Sequence, residues 1–350
     1  MKILRVMRKS AARATLSPQA GRAFMKYPIN GYRRRTMTNI FISYSHQQAD
    51  WVRQRLAPVL KAAGATLTLD VIDGEPGKSL TLQMNEWVDG ADQIVAVMSK
   101  AYWASVFCQH EWTRALARDP DFSRGKTIIP LLREDCDLPD EIISANPLYL
   151  KLIHDRVEDQ WQKLLDACGG SLGTRIVDWL DALEELVLLL ERRKSINLVA
   201  SRPVKWKALI EAAGDRLDGG LPTLDMADPV LFSRPALLKG WLEKLGIGGA
   251  MATSKRNADI VEFSQTLREL SPQRTALRHF GLCRKRNDLD SDFFNALRFH
   301  TMEDPVEIAG VEHPRLTLLL HTDKPLGTLI PKDNPVSKID CARIELRPNP

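Results

Sequence analysis

Across residues 37–168, short apolar runs alternate with stretches in which apolar residues recur at helical spacing. Ile40-Phe41-Ile42 opens a run over 40–45 that suits a strand buried on both faces. Trp51, Val52, Leu56, Val59 and Leu60 then mark a helix over 49–63, closed by Gly64. Thr66-Leu67-Thr68-Leu69 predicts a second strand, followed by a turn-rich loop over 70–79 and a helix over 80–88. The run over 93–98 predicts a third buried strand. Ser99 is an N-cap candidate for one helix carrying Tyr102, Phe107, Glu111 and Leu116. Residues 127–132 predict a fourth strand, in which Pro130 suggests a bulge or an irregular end. A fifth strand over 147–152 and a helix over 159–168, closed by Gly169-Gly170, complete the series. Such alternation predicts a parallel, doubly wound α/β sheet.

The pattern then changes. Residues 174–194 carry Ile176, Val177, Trp179, Leu180, Leu183, Leu186, Val187 and Leu190 on one broad face. Clean heptads are absent, so a helix that packs on a second domain is favoured over one that self-associates. Beyond it, helices are predicted at 206–217, 236–245 and 260–270, with strands at 316–320 and 339–346. The expected organisation is therefore a leader at 1–36, a doubly wound domain at 37–168, a linker helix within 169–196 and a smaller α+β domain at 197–350.

Charge separates the leader from the rest. Residues 1–36 hold ten Lys or Arg and no acid, so the remaining chain carries −5 (5 minus 10) rather than the overall +5. The leader reads as disordered, or as lying upstream of a start at Met37. Five scattered cysteines without a CxxC pair indicate reduced thiols, and hence a cytoplasmic setting. The seven histidines show no metal-ligand spacing, and no apolar run is long enough to span a membrane. Arg274, Arg278, His279, Arg284, Lys285 and Arg286 form an acid-free basic cluster that could meet a nucleic acid or a nucleotide. Twenty Asp and Glu nearly balance twenty-two Lys and Arg from residue 197 onward, which makes a solvated surface the competing reading.

Three stretches resemble the motifs of a Toll/interleukin receptor (TIR) domain, in the family's order. They are Phe41-Ile42-Ser43-Tyr44-Ser45, the loop Asp73-Gly74-Glu75-Pro76-Gly77, and Val97-Met98-Ser99-Lys100-Ala101-Tyr102 followed by Ser105 to Glu111. The resemblance implies a flavodoxin-like, five-stranded parallel sheet. It also implies NAD+ hydrolysis at the nicotinamide–ribose bond, with NAD+ as substrate and no separate cofactor. Glu111 would then be the catalytic carboxylate, and Phe41, Tyr44, Ser45, Asp73, Lys78 and Phe107 would lie at the NAD+ pocket. Phe107 stands where the family often has Trp. The expected partners are other TIR domains, which complete the pocket by self-association, and an unknown trigger acting on the C-terminal domain. The expected setting is a defence or signalling effector.

The chemistry is sensible on its own terms. Nicotinamide leaves as a neutral pyridine, so what needs stabilising is an oxocarbenium-like ribose, and one well-placed carboxylate can serve. The competing readings are blander. Glu111 could be a solvated helix residue paired with Arg114 or Arg118, Phe107 could be core, and Tyr44 and Ser45 could merely end a strand. His110 points about 100° away from Glu111 on a helix and reads as structural. A non-enzymatic TIR scaffold is the alternative function.

Overall fold

The computed structural model describes residues 38–69, 76–125, 127–248 and 258–349. The basic leader and Asp73, Gly74 and Glu75 of the predicted loop lie outside the described residues. Met37–Pro350 forms one compact unit.

Strands β1 (Asn39–Tyr44), β2 (Thr66–Leu69), β3 (Gln93–Met98), β4 (Ile128–Leu132) and β5 (Leu150–Lys151) form an all-parallel sheet in the order β2-β1-β3-β4-β5. This is the flavodoxin-like order, and its strands match the predicted runs closely. Pro130 makes no bulge: β4 pairs in continuous register with β3 from Ile128 to Leu132. It is tolerated because β5 pairs only with Leu131 and Leu132, so Pro130 has a strand on one side only.

The helix predicted as continuous after β3 is two helices, Lys100–Ala104 and Val106–Arg118. Ser99 Oγ caps the first by accepting from the Tyr102 amide at 3.1 Å. Ser105, extended at φ −86° and ψ 119°, breaks the run and caps the second through the Cys108 amide.

The Glu158–Cys168 helix ends in a turn with Gly169 at φ +72° and the Gly170 amide donating to the Leu165 carbonyl. A Cβ on Gly170 would sit 2.6 Å from Ala63 Cβ and 2.8 Å from the Ala63 carbonyl oxygen, so glycine permits this helix end to meet the first one. The next helix, Ile176–Glu191, receives its N-terminal cap from outside. Both Glu158 carboxylate oxygens accept from the amides of Ile176 and Val177, at 2.7 and 2.9 Å.

Residues beyond 191 are more regular than a mixed α+β domain. Strands β6 (Ile196–Ala200), β7 (Thr223–Asp225), β8 (Gln273–Arg278), β11 (Leu316–Thr322) and β12 (Ala342–Leu346) form a second sheet in the order β12-β6-β11-β8-β7. Every pairing in it is parallel. A separate hairpin joins β9 (Pro305–Ile308) and β10 (Val311–Pro314). The α+β expectation is thus refined to a second α/β sheet.

The two sheets share one hydrophobic core. It runs from Ile40, Ile42 and Tyr44 of β1 through Leu56 and Leu60, then Trp161, Trp179 and Leu183, to Ile196 and Leu198 of β6. The linker helix packs inside this core, as its broad apolar face predicted. Polar groups cross the same joint: the Arg216 guanidinium donates to Glu184 at 2.5 Å and to the Gln54 carbonyl. The opposite face of the first sheet has its own core, built from Phe41, Ile94, Ala96, Met98, Tyr102, Cys108 and Trp112.

Candidate active site

Side chains alternate along β1, and this decides what meets Glu111. Ile40, Ile42 and Tyr44 face the shared core, whereas Phe41 and Ser43 face the other way. On the Val106–Arg118 helix the buried residues are Cys108, Glu111, Trp112 and Ala115, a stripe at helical spacing with one carboxylate in it. Glu111 is only 3% exposed. Ser43 Oγ donates to Glu111 Oε2 at 2.5 Å, and Ser43 Oγ lies 2.9 Å from the Tyr102 hydroxyl. Since Ser43 has one proton and gives it to Glu111, Tyr102 donates to Ser43. The result is a buried relay from Tyr102 through Ser43 to the Glu111 carboxylate. Burial pushes the Tyr102 phenol well above its ordinary value, which keeps it a donor.

Glu111 is therefore not a solvated surface glutamate. The arginines that could have paired with it are engaged elsewhere: Arg114 with Asp89, and Arg118 with the carbonyls of Val88 and Ala91. His110 points outward and meets Asn85 Oδ1 at 3.0 Å, in keeping with a structural role.

The structure does not bring the other sequence candidates together around this carboxylate. Phe41 shares its face of the sheet but is fully buried, with its ring 6.4 Å from that of Trp87. Tyr44 lies on the opposite face, in the shared core. Ser45 caps the short His46–Gln48 turn through the Gln47 amide at 3.4 Å. Lys78 is exposed, and its carbonyl accepts from Gln83 Nε2. Asp73 lies outside the described residues. Phe107 is 55% exposed, one helical turn before Glu111, so it offers a ring to solvent rather than filling the core. Ser43 and Tyr102 were missed as site residues. For Ser43 the signal was available, since period-two alternation pairs it with Phe41 and excludes Tyr44.

The basic cluster of the C-terminal half does not form one charged surface. Arg274 donates to the carbonyls of Leu190 and Asp218, Arg278 pairs with Glu211, and Arg286 pairs with Asp288. His279 Nδ1 meets Asp225 at 2.7 Å. Among the described residues there is no group of three metal-ligating side chains, and no helix long and apolar enough to cross a membrane.

Comparison with known proteins bears on residues 40–165, which match the family described as TIR domain. Among solved structures, the TIR domain of a Toll-related receptor from Hydra magnipapillata is similar at 20% identity and a TM-score of 0.34. That match covers 38% of this chain and all of the receptor domain. A prokaryotic SEFIR domain is similar at 18% identity and a TM-score of 0.29, covering 38% of this chain and 94% of its own. The curated proteins contain no match. Motif order, sheet order and family match agree that residues 40–165 of this chain are a TIR domain.

Proposed function

We propose that the TIR domain cleaves NAD+ at the nicotinamide–ribose bond, with Glu111 as the catalytic carboxylate. The observation that carries this reading is the placement of Glu111: a carboxylate held at 2.5 Å by Ser43, near the carboxyl end of the inner strand β1. Ligands of open parallel sheets bind at that end. In the reaction the C1′–N bond breaks and its electron pair stays on the nicotinamide nitrogen, which leaves neutral. The ribose carries the positive charge. Glu111 stabilises that charge, water adds to C1′ and loses a proton, and ADP-ribose results. A ribose hydroxyl in place of water would give a cyclised product. Phe107, exposed one turn away, supplies a ring for stacking.

At 3% exposure Glu111 cannot touch a substrate until it is uncovered. Self-association of TIR domains is the proposed event that uncovers it and completes the pocket. This would keep the activity off until it is triggered, as suits an effector in defence or signalling.

The test is nicotinamide release by the purified full chain at high concentration with a crowding agent, beside Glu111→Gln. The amide keeps the shape and an acceptor for Ser43 but removes the charge. A loss of about a hundredfold or more in Glu111→Gln supports the reading. Equal release by both proteins refutes the assignment of Glu111. The second reading is a scaffold that binds other TIR domains. It is favoured by the exposure of Leu82 at 62%, Val106 at 76% and Phe107 at 55%, on two helices that His110–Asn85 and Arg114–Asp89 tie together, since exposed apolar side chains suit a partner. Wild-type protein that assembles yet releases no nicotinamide would establish that reading instead.

A further inference from the structure

The second sheet has a topological switch point. Leu319 of β11 faces the core shared with the TIR domain, while Leu316, Leu318 and Leu320 face the other way. The Trp206–Gly214 helix, which follows β6, packs on the Leu319 side through Leu209, Ile210 and Ala213. The segment after β11 packs on the opposite side through Leu326, Ile330 and Val336. β6 and β11 are neighbours, so the chain leaves them toward opposite faces and opens a crevice between their carboxyl ends. A cavity of about 810 Å³ lies there. That volume suits a cofactor-sized molecule and far exceeds a single small ion.

Its floor is a fixed aromatic stack. The rings of Trp206 and His321 lie parallel, with centroids 3.5 Å apart, and His279 meets Trp206 edge-on at 5.0 Å. His321 donates from Nε2 to the Ala200 carbonyl and accepts at Nδ1 from the His279 amide, which uses both nitrogens of a neutral ring. Burial pushes the His321 pKa down to about 4, in line with that assignment. His279 adopts φ +53°, a left-handed backbone that non-glycine residues rarely hold, and is pinned there by Asp225 and His321. The rim is cationic. Arg202, Lys285 and Lys324 line the cavity against one carboxylate, Asp323, and none of the three cations has an ion pair among the described residues. Ser201 to Lys207 contains no glycine, so the GxxxxGK pattern is absent there and the cationic side chains are the anion contacts.

We propose that this cleft binds a phosphate-bearing small molecule of nucleotide size, with its phosphates on Lys285, Lys324 and Arg202 and its planar ring toward Trp206. Unpaired cations converging on a rigid, partly apolar crevice fit a polyanion with a flat apolar end. The site is separate from Glu111 and does not rest on the NAD+ chemistry proposed above.

Titration calorimetry of the full chain with ATP, ADP-ribose, adenosine and inorganic phosphate tests this. ATP or ADP-ribose is expected to bind in the micromolar range, more tightly than adenosine or phosphate alone. Affinity should fall as salt is raised. The double variant Lys285→Ala/Lys324→Ala, at exposed positions, should weaken binding about tenfold or more without changing the melting temperature. Absence of nucleotide binding at about millimolar ligand would overturn the proposal. So would adenosine binding as tightly as the nucleotides, or affinity unchanged in the double variant, which would place the ligand elsewhere.

Discussion

Ser43→Ala tests whether the Tyr102–Ser43–Glu111 relay exists in solution. The substitution removes one hydroxyl from a site where Ser43, Glu111 and Tyr102 are all buried. Glu111 loses a donor at 2.5 Å and Tyr102 loses its acceptor at 2.9 Å, and neither gains access to water. A hydrogen bond to a charged group contributes about 1.5–3 kcal/mol and a neutral one about 1 kcal/mol, so the expected loss is about 2.5–4 kcal/mol. For a protein of this size, with an unfolding entropy of about 0.7 kcal/mol/K, that lowers the melting temperature by about 4–6 °C. Tyr102→Phe added to Ser43→Ala should cost about 1 kcal/mol less than it does alone, because its partner is already gone. Ser45→Ala is the control. Its 3.4 Å cap to Gln47 is long, so its loss should stay at the low end of capping effects, about 0.5 kcal/mol. The measurement is thermal unfolding of the four variants. A melting temperature in Ser43→Ala no lower than in Ser45→Ala would refute the relay, and with it the fixed position of Glu111.

Two further outcomes follow from the packing. Leu183→Ala, at the centre of the shared core, should cost about 3–5 kcal/mol and move a single calorimetric transition. Two separate transitions, of which only one moves, would mean that the sheets do not unfold as one unit. His321 should make stability fall with acid. Its folded pKa of about 4 lies below the ordinary 6.5, so the unfolded chain takes up a proton that the folded chain refuses. The stability is fully present above pH 6.5, falls through the interval down to about 4, and amounts to about 3 kcal/mol. His321→Gln should flatten the melting temperature between pH 7 and pH 4.5, and an unchanged slope would contradict the assignment.

The TIR strands were legible because each is an apolar run bounded by turn formers, and parallel strands covered on both faces need little else. The break at Ser105 was not read. Apolar spacing continues across it, and only the serine hydroxyl, competing for the Cys108 amide, marks the new helix start. In the second sheet β11 and β12 were read at 316–320 and 339–346, whereas β6, β7 and β8 were not, and β6 and β8 carry polar residues with distant partners. Asn197 sits in buried β6 because its amide donates to the Leu320 carbonyl and to Thr322, while its oxygen accepts from the Leu326 amide. Arg274 and Arg278 at the ends of β8 are satisfied by Leu190, Asp218 and Glu211, each more than fifty residues away in sequence. Such partners exist only after folding, so in the sequence Arg274 and Arg278 read as members of a basic cluster rather than as parts of a strand. The cleft at Trp206, His279 and His321 is likewise assembled from distant parts of the chain: the start of a helix, the residue after β8 and the end of β11.

The two faces of the TIR sheet therefore have different owners. One face is continuous with the rest of the chain: Ile40, Ile42 and Tyr44 reach the second sheet through the linker helix, and Arg216 ties Glu184 to the Gln54 carbonyl across the joint. The other face is private, its core made of TIR residues alone, and it carries Glu111. β1 is the element common to both, since successive residues Ile42, Ser43 and Tyr44 point alternately into the shared core and toward the carboxylate. A displacement of the second sheet that strains the shared core is thus borne by the same strand that holds Glu111 through Ser43. Close-packed cores pass such strain on rather than absorb it. The C-terminal half reaches the carboxylate through the strand beneath it, without covering the face on which it lies.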